Sequence, residues 1–169
     1  MSNSNQVRWL GNLGLIPFLV LSFGVWFLPY NVPYETVCLS FFFYALMINS
    51  FLSGNLWSYN LERRVSPIVP IVFFFLPILF FLFLLWLTYE AFQLGASLGL
   101  SATLSFIASF TGMYFYEKRT VEHEDYYSNL RLQLTLVVVT CHLSWVIFFL
   151  NILRAVSYTH LTLPTNREV

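Results

Sequence analysis

The stretch "IVPIVFFFLPILFFLFLLWL", Ile68 to Leu87, decides how this chain is read. It carries no charge, and only the Trp86 indole can make a side-chain hydrogen bond. About 20 apolar residues in a helix span the hydrocarbon core of a bilayer. Working outward, four further apolar segments of similar length stand at roughly 11–29, 36–59, 91–116 and 129–153. Composition agrees. Of 169 residues, 58% are hydrophobic, 20% aromatic and 9% charged, against about 25% charged in a soluble domain. The expectation is an all-α integral membrane bundle of five transmembrane helices, forming a single domain over residues 1–155.

Arg8 ahead of an apolar run resembles the start of a signal peptide, but "FLPYNVP" offers no small-residue cleavage site, so the first segment reads as a retained helix. The connecting loops are short and hold no soluble domain. Arg8, Arg63, Arg64, Lys118 and Arg119 precede the first helix, join the second to the third, or join the fourth to the fifth. Arg131 opens the fifth on that same side, and Arg154 lies past its far end. The positive-inside rule then puts the N-terminus in the cytoplasm or matrix. The expected location is a bacterial cytoplasmic membrane, with the mitochondrial inner membrane as the alternative. Net charge is zero, so no basic surface draws nucleic acid.

Polar residues concentrate in "NSFLSGNLWSYN", Asn49 to Asn60. At 100° per residue, Asn49, Ser53 and Asn60 fall within about 40° of one another. Ser50, Gly54 and Ser58 form a second stripe in the small-x-x-x-small pattern that lets transmembrane backbones approach closely. Trp57 reads as an interfacial aromatic. The fourth segment, "GASLGLSATLSFIASFTG", sets Gly95, Gly99, Ala102 and Ser109 along one face. The second and fourth helices are therefore expected to form the tightly packed centre. The third, bulky throughout, is expected to face lipid, with Pro77 removing a backbone hydrogen bond in its middle.

In the fifth segment Arg131, Thr135 and His142 share one face, and His142 falls near mid-membrane at a depth similar to Asn49. An ionisable residue at that depth raises a functional hypothesis. The candidate polar site is therefore His142, Asn49, Ser53 and Thr135, with the alternative that His142 is neutral and bonded to a neighbouring helix. Arg131 and Trp57 are the candidate interfacial residues. Arg131 is expected to pair with Glu122, Glu124, Asp125 or a lipid phosphate. No second membrane-embedded His is present to pair with His142, and Cys38 and Cys141 form no ligand spacing. Neither metal nor cofactor is expected.

Three stretches carry a family likeness: "LGLIPFL" in the first helix, "NSFLSGNLWSYN" in the second and "YYSNLRLQLTLVVV" opening the fifth. The most specific parts are Ser50, Phe51, Leu52, Gly54 and Trp57, and then Tyr127, Leu130, Arg131, Leu134 and Thr135. Together these resemble the domain of unknown function 3429 family, five-helix membrane proteins related to the mitochondrial transmembrane protein 69. Members of that family often carry a second Gly and a His where this chain has Ser53 and Leu56. The resemblance implies the architecture and assigns no activity. The end of the chain, Val156 to Val169, instead resembles translated sequencing-adapter read-through and is expected to be non-native.

No nucleophile elbow, phosphate-cradling loop or dinucleotide fingerprint is present in the sequence, so enzyme function is not expected. The leading expectation is a structural or assembly component of a membrane complex, with the lipid bilayer, other membrane proteins or further copies of itself as partners. The first alternative is a small transporter using the midplane polar site. A membrane enzyme acting on a lipid or quinone is the other; it requires a pocket at the interface near Arg131 and Trp57.

Overall fold

The computed structural model describes residues 3–27, 33–90, 95–121 and 125–161. Among these residues there are five α-helices and no strand. They are α1, Asn3–Gly24, prolonged by a 3-10 turn at Val25–Phe27; α2, Tyr34–Glu62; α3, Ile68–Glu90; α4, Gly95–Thr120; and α5, Asp125–Leu161. The segments Asn5–Phe27, Tyr34–Glu62, Ala96–Thr120 and Asp125–Ala155 are each long and apolar enough to cross a membrane. Helix α3 is 23 residues long, about 34 Å at 1.5 Å per residue, which also reaches across.

The helices outrun the apolar segments that announce them. Helix α1 starts at Asn3 and α5 at Asp125, because polar residues continue a helix into the headgroup layer without joining the apolar pattern. Helix α5 also runs past the expected end near residue 153 to Leu161. An apolar period reports which face is buried, and backbone helicity does not require one. The expected end of the first helix at 28–29, the expected start of the fourth at 91–94 and the tail from 162 on lie outside the described residues.

Each helix packs on the next in chain order, and α5 packs back on α1, so the bundle closes into a ring; α2 and α4 touch across it. Arg8, Arg63, Arg64, Lys118, Arg119 and Arg131 thereby stand at one end, hereafter the basic end. There Asn60 meets Tyr116 and Arg131 meets Glu117. At the opposite end Trp26 bonds Ser144 and Tyr34 rests on Phe148.

The surface is inside-out relative to a soluble protein. Helix α2 exposes Leu39, Phe43, Met47 and Phe51 at four-residue spacing while it buries Asn49, Ser53 and Asn60. Hydrocarbon makes that arrangement favourable: exposed Phe and Leu lose nothing there, whereas unpaired amides and hydroxyls do. Helix α3 likewise exposes Ile68, Val72, Phe75 and Leu79, as expected.

The packed centre differs from the sequence expectation. Gly54 and Ser58 are exposed and Ser50 is only half-buried; a Cβ built on Gly54 meets nothing within 4 Å. The small residues of α4 are the ones used in close packing. A Cβ on Gly99 would run into the Phe149 ring of α5, and one on Gly112 would stand 2.6 Å from the Phe73 ring of α3. Ala102 is buried, while the surroundings of Gly95 lie outside the described side chains. Helix α4 thus packs most extensively on α5, then on α3, and less on α2. Bulk decides this: a small residue brings helices together only where a large partner such as Phe149 or Phe73 fills the space above it.

At the basic end α2 closes with a Schellman turn. Val65 N–H donates to the Asn60 carbonyl at 2.8 Å, Arg64 N–H donates to Leu61, and Arg64 takes φ 57°. Glycine is the usual residue there. The arginine keeps a cation beside the terminal carbonyls of the helix.

Substituting Gly99 by Ala should force the Phe149 ring aside and destabilise the bundle by about 1–3 kcal/mol, as overpacked cores do. Thermal unfolding in mild detergent reads the difference.

Candidate functional site

Proline organises the polar interior. Pro77 sits inside α3 and has no N–H, so the carbonyl four residues back, that of Phe73, loses its helical donor. In hydrocarbon such a group needs another partner. Asn49 of α2 supplies it, donating from Nδ2 to the Phe73 oxygen at 2.9 Å. Ser109 of α4 completes the group, its hydroxyl 2.8 Å from Asn49 Oδ1 and 3.1 Å from the same Phe73 oxygen. Asn49 and Ser109 are both fully buried. One carbonyl thereby joins α2, α3 and α4 at mid-membrane.

The same logic recurs along α2. Asn60 likewise spans a gap, donating to the Ser66 carbonyl at 3.0 Å in the turn that leads into α3. Tyr44 donates to the Gly14 carbonyl at 2.8 Å. That oxygen sits in the turn Pro17 interrupts, next to Leu13, whose carbonyl loses its donor.

The four residues of the candidate polar site do not converge. Ser53 donates to Met113 Sδ at 3.3 Å, and Thr135 donates to the Arg131 carbonyl one turn earlier in its own helix at 2.9 Å. His142 is fully buried, with Nδ1 2.8 Å from the Val138 carbonyl. It makes no hydrogen bond to Asn49. The imidazole is ringed by Phe18, Phe41, Phe106 and Phe110, with centroids 4.8–5.8 Å away. Among the described residues its Nε2 has no partner, nor has the buried Trp145 Nε1. A shared depth on two helix wheels placed Asn49 and His142 together; the bundle turns Asn49 toward α3 and α4 and sets His142 in an aromatic box.

At the basic end Arg131 Nε bonds Glu117 Oε2 at 2.7 Å, both side chains being 9% exposed. Glu117 belongs to α4, inside the helix, where the sequence pattern assigned it to the loop. Asp125 is not its partner, and Glu122 and Glu124 lie outside the described residues. The signal missed was the length of α4: a helix carried on to Thr120 brings Glu117 level with the first turns of α5.

Beside this ion pair a cleft of about 450 Å³ opens between α1, α2 and α5. Gly14, Phe18, Phe51 and Leu134 stand in its apolar wall, and Asn55, Arg131 and Thr135 are polar positions there. Its size is within the range of small-molecule sites. Trp57 is exposed and borders a different groove, between α2 and α3, with Gly54, Pro70 and Phe74.

A closed helical bundle with an apolar exterior, an aromatic-rich core and buried polar bonds between helices defines a multi-pass membrane protein. A family model described as "Protein of unknown function (DUF3429)" matches residues 3–147, and the chain belongs to this family. Comparison with curated proteins gave no match, and comparison with solved structures gave none either.

Replacing Asn49 by Leu should cost about 1–3 kcal/mol by removing a donor from the Phe73 carbonyl. Restoring the α3 N–H with Pro77→Ala should make the loss smaller; a thermal-unfolding double-mutant cycle reads the coupling. Replacing Glu117 by Gln leaves the buried guanidinium without its counter-charge. That change should destabilise by about 3–5 kcal/mol, visible as reduced yield of monodisperse protein and a lower unfolding temperature.

Proposed function

We propose that this protein is a structural or assembly component of a membrane complex, with its basic end toward the cytoplasm or matrix. The observation that carries this reading is where the midplane polar groups are spent. Asn49, Ser53 and Ser109 are buried and bonded within the bundle, and His142 is enclosed by aromatic rings. A transport path needs polar groups that face a water-accessible passage; Asn49, Ser53 and Ser109 face partners within the bundle, and His142 faces phenyl rings. The stripe of half-buried Ser50 and exposed Gly54 and Ser58 supports the same reading. It follows the pattern that admits a partner transmembrane helix at close range, and among the described residues nothing lies within 4 Å of a Cβ built on Gly54.

A membrane enzyme acting on a lipid or quinone is less well supported. Arg131 lines the cleft while Trp57 borders a separate groove, so the two interfacial residues do not frame one pocket.

The test is native purification in mild detergent, with mass measurement of the assembly. The wild type should carry a stoichiometric partner chain, either another protein or a second copy. Gly54→Leu should fold normally, because nothing lies near that position, and should lose the partner. A wild type recovered as a lone monomer, or an assembly indifferent to Gly54→Leu, overturns the proposal.

A further inference from the structure

The cleft between α1, α2 and α5 has polar groups that the bundle leaves unsatisfied. Asn55 is exposed and makes no hydrogen bond to any described residue. It lies seven residues, about 10 Å, inside the end of α2 at Glu62. Helix α2 is 29 residues long, about 43 Å against a hydrocarbon core of about 30 Å, so its end projects by about 7 Å. Asn55 therefore sits just within hydrocarbon, where an unpaired amide is strongly disfavoured. Arg131 is at matching depth, six residues or about 9 Å inside the start of α5 at Asp125. Its only bond to the described residues is the Nε contact with Glu117. The two Nη amino groups of a guanidinium nine-tenths buried thus have no protein acceptor there.

Beyond these donors the cleft runs apolar along Gly14, Leu134, Val138 and Phe18 toward the middle of the bundle. Donors at the hydrocarbon boundary above an apolar shaft match an amphiphile with acceptor oxygens at its neck and a hydrocarbon tail. The bilayer supplies one at that depth. The ester and phosphate oxygens of a glycerophospholipid lie at the boundary, and one acyl chain fits a space of about 450 Å³. Because Glu117 already balances Arg131, an ester carbonyl is accepted without a net charge being required.

We propose that this cleft is a specific site for a glycerophospholipid of the basic-end leaflet. One acyl chain lies between α1, α2 and α5, and the lipid's neck oxygens accept hydrogen bonds from Asn55 Nδ2 and the Arg131 Nη groups. This differs from bulk solvation of the exterior, where Phe43 and Met47 meet lipid with no polar anchor.

The test uses the whole protein purified in mild detergent, stripped of lipid and titrated with dioleoyl phosphatidylethanolamine. Native mass spectrometry counts retained lipid, and the unfolding temperature is followed alongside. The wild type should retain one phospholipid per chain and gain thermal stability on its addition. Gly14→Leu fills the shaft, since a Cβ there meets only the Tyr44 hydroxyl, at 4.0 Å. Asn55→Leu removes a donor at an exposed position where folding does not depend on it. Each should weaken retention by about fivefold, the worth of one net hydrogen bond or more. Leu79→Met, exposed on α3 away from the cleft, should change nothing. Equal retention by wild type, Gly14→Leu and Asn55→Leu overturns the proposal, as does stoichiometric retention of an isoprenoid quinone in place of phospholipid.

Discussion

A carbonyl oxygen without a donor has nowhere to turn in hydrocarbon, and the packing of this bundle follows from that constraint. Two prolines stand inside helices: Pro17 in α1 and Pro77 in α3. Each removes an N–H and disturbs the carbonyls one turn before it. At each, a side chain of α2 reaches the affected turn: Tyr44 at Gly14 and Asn49 at Phe73, while Asn60 bonds the Ser66 carbonyl in the turn leading into α3. Helix α2 is thus fixed in rotation and depth by directional bonds as well as by packing. In a solvent as apolar as Leu, hydrophobic attraction between helices is absent, and such bonds carry a larger share of the specificity.

The remaining contacts build on that placement. With α2 turned so that Asn49 meets α3 and α4, Ala45 and Leu56 enter the core and Phe43 and Met47 face outward. The Asn49–Ser109 bond draws α4 inward, and Gly99 then receives the Phe149 ring of α5. The Arg131–Glu117 pair ties α4 to α5 again at the basic end. At the Asn49 level midplane polarity is consumed in holding helices together, whereas His142 Nε2 and Trp145 Nε1 stay unpaired among the described residues. Accessible unsatisfied polarity, at Asn55 and Arg131, stands near one interface, where lipid headgroups can meet it.

Much of the architecture was legible in residue type alone. Helix number, the apolar exterior and the likeness at Ser50–Trp57 and Tyr127–Thr135 all follow from local sequence. Pro77 announced a freed carbonyl. What it did not announce was the acceptor's partner, because Asn49 lies 24 residues from Phe73 and Ser109 lies 36 from it. Helix wheels correctly put Asn49, Ser53 and Asn60 on one face, but a wheel has no neighbours. It therefore assigned Asn49 to His142 and the close packing to Gly54, and in both cases the bundle chose differently. Glu117 escaped notice since charge was read as loop.

By itself, then, the sequence determined that the chain belongs in a bilayer, that its helices are long enough to cross one, and that prolines interrupt α1 and α3. These are matters of local hydropathy and of a missing N–H. Only the tertiary structure decided which side chains answer the interrupted carbonyls, which glycines are filled from above, and that Asn55 and Arg131 border one cleft. Those outcomes depend on the rotation of each helix about its axis. Rotation is set by the pairing of groups far apart in the chain, and no single segment contains it.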